Sequence, residues 1–155
     1  MAQNRKFQDF VETKYMADDA ITNAETDASQ AKHLRFLYDF AAVGGAAGAI
    51  TLTAMDGTAL NMPGNAVIRN ITYEVVTAPA SGGSATIALG LVANTDAFKA
   101  ATAFDNAAYT AASHMHNEVP LKNGPAPLAV LATVATAALT AGKFILHVEF
   151  YEGQA

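Results

Sequence analysis

Val67-Ile68-Arg69-Asn70-Ile71-Thr72-Tyr73-Glu74-Val75-Val76-Thr77 is the stretch on which the fold turns. Its odd positions are apolar except Arg69, and the even positions in the middle of the run, Asn70, Thr72 and Glu74, are polar. A period of two marks a β-strand with one buried face, because successive side chains leave a pleated strand on opposite sides. Arg69 breaks the pattern. An arginine in that position reads as an edge, an interface or a satisfied ion pair rather than a catalytic group.

Downstream, Ala78-Pro79-Ala80-Ser81-Gly82-Gly83-Ser84 reads as a loop. Ala85, Ile87, Leu89 and Leu91 then alternate with Thr86, Ala88 and Gly90, a strand expected to pair with 67–77. Asp96 is placed to cap a short helix through Phe104. Residues 105–126 are irregular, with Pro120, Gly124 and Pro125. Val130, Ala132, Val134 and Thr136 alternate with Leu131, Thr133 and Ala135, and Thr140-Ala141-Gly142-Lys143 reads as a turn. In the closing strand Phe144, Leu146, Val148 and Phe150 face inward, with Lys143, His147 and Glu149 outward.

Upstream, Leu34, Phe36, Tyr38 and Phe40 share one face of a strand, with Arg35 and Asp39 opposite. Val43-Gly44-Gly45-Ala46-Ala47-Gly48 is a flexible loop and Ile50 to Ala54 a short strand. Asp56-Gly57 is a hairpin signal, Ala59 to Met62 the return strand, and Pro63-Gly64-Asn65 another turn. Many short strands parted by Gly/Pro turns predict an all-β fold, a jelly-roll or related antiparallel β-sandwich over 32–155, rather than a parallel α/β sheet. No fixed-period repeat argues for a solenoid or propeller.

Residues 1–31 differ. They hold Arg5, Lys6, Asp9, Glu12, Lys14, Asp18, Asp19, Glu25 and Asp27, and within them Phe7, Phe10, Val11 and Tyr15 recur at spacings of three, one and four. That is one stripe of a short amphipathic helix, or the anchor points of an extended arm. Packed on its own domain it is a surface helix; reaching a neighbouring subunit, it is a partner-binding arm.

A length of 155 residues suits one domain. The 52% hydrophobic fraction includes 35 Ala, which bury little area, so the core depends on fewer large side chains. These are Phe36, Phe40, Ile50, Leu52, Val67, Ile71, Val75, Ile87, Leu89, Val130, Val134, Phe144, Leu146, Val148 and Phe150. Charged residues make up 15%, against about 25% in an ordinary soluble chain. A low-charge, Ala- and Thr-rich surface fits a protein covered by its neighbours, and burial in an oligomer would add to a modest core. The net charge of −5, without a Lys/Arg cluster, disfavours direct binding to nucleic acid or anionic membranes. With no Cys, disulfides and thiolate-metal sites are excluded. The start MAQNRKFQDF lacks the apolar stretch of a signal peptide. The stretch from Ala126 to Ala141, broken by Pro127, Thr133, Thr136 and Thr140, is too short and polar to span a bilayer. Cytoplasmic synthesis is the default expectation.

His114-Met115-His116-Asn117-Glu118 is the one cluster with metal-ligand character. On a strand, His114, His116 and Glu118 share a face and could converge on zinc. No second Cys or His cluster completes a four-ligand site, so the stretch reads first as polar surface loop and no cofactor is expected. Ser29, Ser81, Ser84 and Ser113 lie in no nucleophile elbow, and Ser113 beside His114 is sequence adjacency. Asp18-Asp19 reads as a solvated turn, and Gly44-Gly45 and Gly82-Gly83 lack the Lys of a phosphate loop. Phe36, Tyr38 and Phe40, with only Arg35 nearby, are core rather than stacking platforms for single strands. No enzyme is expected.

Several segments carry a resemblance. Tyr38-Asp39-Phe40-Ala41-Ala42-Val43-Gly44-Gly45-Ala46 followed by Ile50-Thr51-Leu52 is one. Leu60-Asn61-Met62-Pro63-Gly64-Asn65-Ala66-Val67-Ile68 leading to Tyr73-Glu74-Val75-Val76-Thr77 and Ala85-Thr86-Ile87-Ala88-Leu89-Gly90 is the second. Leu139 to Phe150 is the third. Over roughly 35–152 the chain resembles small bacteriophage virion proteins of the capsid decoration, or cement, kind.

The resemblance implies a jelly-roll or related sandwich on the capsid exterior, binding the major capsid protein lattice and stabilising the head. It implies a homo-oligomer, most commonly a trimer, made in the host cytoplasm, with no nucleic acid, membrane or small-molecule substrate. Phe7, Phe10, Val11 and Tyr15 would be aromatic and apolar anchors to the shell. The alternatives are another virion part (head fibre base, tail tube or tail adaptor) or, ranked lower, a receptor- or sugar-binding sandwich. The chain has no Trp, and Tyr109 beside Asp105-Asn106 is its single candidate sugar platform.

Overall fold

The computed structural model describes residues 31–114 and 121–153. The 67–77 stretch lies inside β4 (Ala66–Ser81), a strand of 16 residues. Its inward face changes parity along its length: Ile71 and Tyr73 are buried, and so are Ala66 and Ile68. Opposite it runs β10 (Leu139–Glu152), where Glu149 faces Asn70 but Phe150 faces Ile68, leaving Arg69 unmatched. One extra residue in a strand flips every side chain beyond it to the other face. The bulge therefore places Arg69 in solvent, and buries Ile68 where simple alternation selects Val67, which is only partly buried. The Arg69 guanidinium donates to Tyr151 Oη at 2.7 Å and lies 5.8 Å from that ring's centroid.

β10 buries Phe144, Leu146, Val148 and Phe150, as its alternation predicts. The expected turn at Thr140–Lys143 is instead part of β10, which pairs on as far as Leu139↔Ser81. Likewise the expected 78–84 loop is strand through Ser81. Glycine and proline here serve irregular pairing rather than reversal. The register shifts at Leu139/Ala141, Ala141/Lys143 and Lys143/Phe144. Gly142 takes φ 144 with its absent Cβ 3.1 Å from Pro79 Cα. Proline is tolerated at such a bulge because no ladder donor is needed there.

β1 (Lys32–Asp39) pairs along β10 from Lys32↔Phe150 to Asp39↔Lys143. Phe36 and Tyr38 are fully buried, whereas Phe40 leaves the strand. The Asp39 carboxylate accepts from Ala41 N at 3.0 Å and caps a single helical turn, α1 (Phe40–Val43). The Asp56-Gly57 hairpin forms as expected: Ala54 N donates to Thr58 O at 2.8 Å, and Gly57 has φ 83.

The remaining elements are β2 (Gly48–Thr51), β3 (Asn61–Met62), β5 (Thr86–Leu91), β6 (Asn94–Ala103), α2 (Ala107–Thr110), β7 (Ser113–His114), β8 (Leu121–Lys122) and β9 (Leu128–Ala135). Among the described residues they form two five-stranded antiparallel sheets packed as a sandwich. Sheet I runs β1-β10-β4-β7, with β8 also on β4; sheet II runs β2-β9-β5-β6, with β3 also on β9.

Two expectations fail here. β5 does not pair with β4; it lies in the other sheet between β9 and β6. The chain changes sheets after Ser81, so strands adjacent in sequence contribute to opposite walls of one core. The expected helix from Asp96 to Phe104 is strand β6, joined to β5 by a tight turn at Val92-Ala93. A short Ala-rich helix is marginal alone, while β5 has an open edge whose backbone groups need partners. Tertiary demand decides. β6 crosses β5 so closely that a Cβ on Gly90 would come 2.3 Å from Asn94 O.

The core lies between the sheets. Phe36, Tyr38, Tyr73, Phe144, Leu146 and Val148 line it from sheet I, and Ile87, Leu89, Val130 and Val134 from sheet II. Tyr38 stacks on Phe144 and Tyr73 packs against the same ring at a tilt of 36°, both with centroids 4.8 Å apart, contacts worth about 0.5–1.5 kcal/mol apiece beyond area burial.

Candidate functional site

The buried tyrosines are the described groups whose acidity burial shifts, and their surroundings are structural. Burial pushes the Tyr73 and Tyr109 phenols well above their usual range, and that of Tyr38 upward with help from Asp39. Their hydroxyls stay protonated and are satisfied by carbonyls: Tyr109 Oη donates to Ile87 O at 2.6 Å and Tyr38 Oη to Gly44 O at 2.9 Å. Tyr109 is fully buried on α2, so the single candidate sugar platform is a core residue.

Of the predicted metal ligands, His114 lies in β7 opposite Thr72; His116 and Glu118 lie outside the described residues. So do the arm anchors Phe7, Phe10, Val11 and Tyr15. Among the described residues no group of three or more His, Asp or Glu side chains is arranged to hold a metal. Nor is any helix there long and apolar enough to cross a membrane. A cleft of about 550 Å³ opens at one end of the sandwich between Ser81–Thr86 and Ala103–Asp105. Asp105 is its one ionisable lining residue. The other polar side chains of the lining are the hydroxyls of Ser81, Ser84 and Thr86, and no histidine or second carboxylate stands among them.

What distinguishes the molecule is the contrast between its two outer surfaces. The strands of sheet I carry Lys32, Arg35, Asp39, Arg69, Glu74, Lys122, Lys143, Glu149 and Glu152. The strands of sheet II carry two charges, Asp96 and Lys99, both on the edge strand β6. Ion pairs tie sheet I across its strands. Lys143 Nζ reaches Asp39 Oδ2 at 2.7 Å, and Lys32 Nζ reaches Glu152 Oε1 at 2.6 Å. The hydrogen bond from Lys143 is the main cause holding the Asp39 carboxyl below its usual range. On the outward face that holds Lys143 and Asp39, His147 Nε2 meets Glu74 Oε2 at 2.7 Å and His147 Nδ1 meets His33 Nε2 at 3.2 Å.

The positions of sheet II that point away from the core are small or uncharged: Ala49, Thr51 and Ala135 are exposed, Thr86 and Thr133 half-buried, and Ala88, Gly90 and Leu131 buried. No sequence signal for this contrast exists at the level of single strands. It emerges when the topology collects β2, β5 and β9 into one sheet.

No protein-family model matches the chain, and no curated protein does. Two solved structures do. A chain in the acidic stable capsid structure of Helicobacter pylori bacteriophage KHP30 superposes with a TM-score of 0.54 at 15% identity, over 78% of this chain and 86% of that one. A chain of the capsid asymmetric unit of cyanophage Pam1 gives 0.56 at 19% identity, over 79% and 84%. At such identities the likeness is one of fold. Because each alignment spans most of both partners, the matched chains are close to this one in length.

Proposed function

We propose that this chain is a bacteriophage virion structural protein of the capsid decoration (cement) kind, without catalytic activity. On this reading it binds the major capsid protein lattice from outside and stabilises the head as a homo-oligomer, a trimer in its simplest form. The observation that carries it is the match, over more than three quarters of each partner, to two small chains from phage capsids. The strand order supports it. Sheets ordered β1-β10-β4-β7 and β2-β9-β5-β6 follow from winding one long antiparallel ribbon around a sandwich. That is the winding of a jelly roll, a fold at home in viral capsids and also in lectins and cupins.

Charge favours the exterior over the interior. A subunit lining the genome compartment needs cationic groups to neutralise phosphate. This chain carries −5, and residues 1–31 hold six acidic against three basic side chains. The exposed, uncharged part of sheet II around Ala49, Thr51 and Ala135 is the surface this reading turns toward the shell, since interface centres are depleted of charge. Sheet I, with its paired charges, then faces solvent. Phe7, Phe10, Val11 and Tyr15 supply an arm that adds a second attachment per copy, so that linked weak contacts combine.

The test is co-sedimentation of the purified chain with phage heads lacking it. Saturable binding and a higher head-disruption temperature are expected. A chain lacking residues 1–31 should bind more weakly; unchanged affinity would remove the arm, and no binding by the full chain would remove the proposal.

A further inference from the structure

The charged face of sheet I contains a pair of histidines whose arrangement the decoration role does not use. His33 on β1 and His147 on β10 lie diagonally across the β1–β10 ladder, where Arg35 is directly opposite His147 and Glu149 directly opposite His33. Their rings stack with centroids 5.3 Å apart, and His33 Nε2 and His147 Nδ1 point at each other at 3.2 Å. On the far side Glu74 of β4 contacts His147 Nε2 at 2.7 Å. A carboxylate only accepts, so His147 carries a proton on Nε2. In the neutral ring Nδ1 keeps its lone pair, and His33 Nε2–H is then the donor to it.

We propose that His33 Nε2 and His147 Nδ1 form a binding site for a divalent transition-metal ion of the imidazole-preferring class, zinc or copper. Two nitrogens bound to one tetrahedral zinc at ~2.0–2.1 Å stand about 3.3 Å apart. The observed separation of 3.2 Å is close to that spacing; because the two nitrogens face each other along the hydrogen bond, each ring turns by roughly 35° to aim its lone pair at the ion. The proton shared between the rings passes to His33 Nδ1 by a change of tautomer, and the ion takes its place.

Glu74 is the outer partner of a ligating histidine: it fixes the tautomer and raises the basicity of the bound nitrogen. Glu74 and Glu149 outweigh Arg35 on this patch of the face, so the local charge favours a cation. Water fills the remaining coordination positions. The ion would bridge β1, an edge strand of sheet I, to β10 at its centre.

Calorimetric titration of the full-length chain with zinc chloride tests the site. One saturable zinc per chain is expected, with no heat from magnesium chloride. His33→Asn and His147→Asn should each abolish binding, and Glu74→Gln should weaken it about 10- to 100-fold. His116→Asn should leave it unchanged. No saturable binding by the wild type, binding that survives His33→Asn, or binding lost in His116→Asn would overturn the proposal.

Electron paramagnetic resonance with copper gives a readout that spares β1 and β10. In a His114→Asn/His116→Asn background, hyperfine splitting from two imidazole nitrogens is expected. An all-oxygen spectrum would contradict the site.

Discussion

Sheets I and II share one core and differ on the outside. Sheet I has long strands, β4 and β10, and a solvent face that carries the Lys143–Asp39 pair and the His147–Glu74 contact. Apart from its edge strand β6, sheet II has short strands and an outer face of Ala, Thr, Gly and Leu without a charge. Inside, both walls obey the same rule, apolar side chains at every second position. Outside, the requirements separate: a face that meets water keeps charge for solubility, and a face that meets protein sheds it. The low charge content of the chain is thus a local property of one surface.

The contrast can be broken from either side, and the largest effect is expected on binding. Thr51→Arg combined with Ala135→Glu places charge on exposed positions of sheet II. Affinity for heads should fall about 100-fold or more, the size of a disrupted hot spot, with the melting temperature nearly unchanged. A matched pair of substitutions on sheet I, Arg35→Glu and Glu149→Lys, should leave head binding within a few-fold. Equal losses from both pairs in co-sedimentation would dissolve the distinction.

Stability should respond next. Gly90→Ala forces a methyl toward Asn94 O and pushes β6 off β5. Overpacking of this kind costs about 1–3 kcal/mol, read as a shift in the chemical denaturation midpoint. Smaller, and of opposite sign, is Thr133→Val on the outer face of β9. The Thr133 hydroxyl is buried with no hydrogen-bond partner among the described residues. Replacing it by a methyl should stabilise the fold by about 1 kcal/mol. No gain would mean that a partner or water satisfies that hydroxyl.

The smallest effect concerns the charge pair on sheet I. The Asp39 carboxyl is held below its usual range by Lys143 and by Ala41 N. A group with a lowered folded-state value contributes stability above its unfolded value, and that contribution is lost as pH falls through the folded one. Acid unfolding curves of Asp39→Asn should therefore be flatter than wild type below about pH 4. Parallel curves would show that the pair carries no pH-dependent stability.

Much of the sandwich was legible in the sequence because period-two alternation is local. The inward face of 144–150 and the burial of Phe36, Ile71, Ile87 and Val130 follow from it directly. Long-range choices were not legible. Alternation in 85–91 predicts a strand but not its sheet, and β5 pairs away from β4 because the chain changes walls after Ser81. The bulge at Arg69 reverses parity midway through β4, which a fixed period cannot express. Residues 96–104 have helix-compatible composition yet complete the edge of β5. Gly142 and Pro79 look like turn residues and work as a bulge. The candidate sites fared likewise. His114, adjacent in sequence to His116, drew attention, while His33, Glu74 and His147 meet across 114 and 73 residues of chain. No spacing rule connects positions that only the β1–β10–β4 register brings together.

The central claim is that this sandwich is a capsid-exterior component whose uncharged sheet meets the shell. Cryo-electron microscopy of the intact particle measures it most directly. The account predicts density for this fold on the outside of the head lattice, at positions repeated by capsid symmetry, with β2, β5 and β9 toward the shell and the His33–His147 face toward solvent. Density confined to the tail or the inner surface of the head, or an outward-facing sheet II, would contradict it.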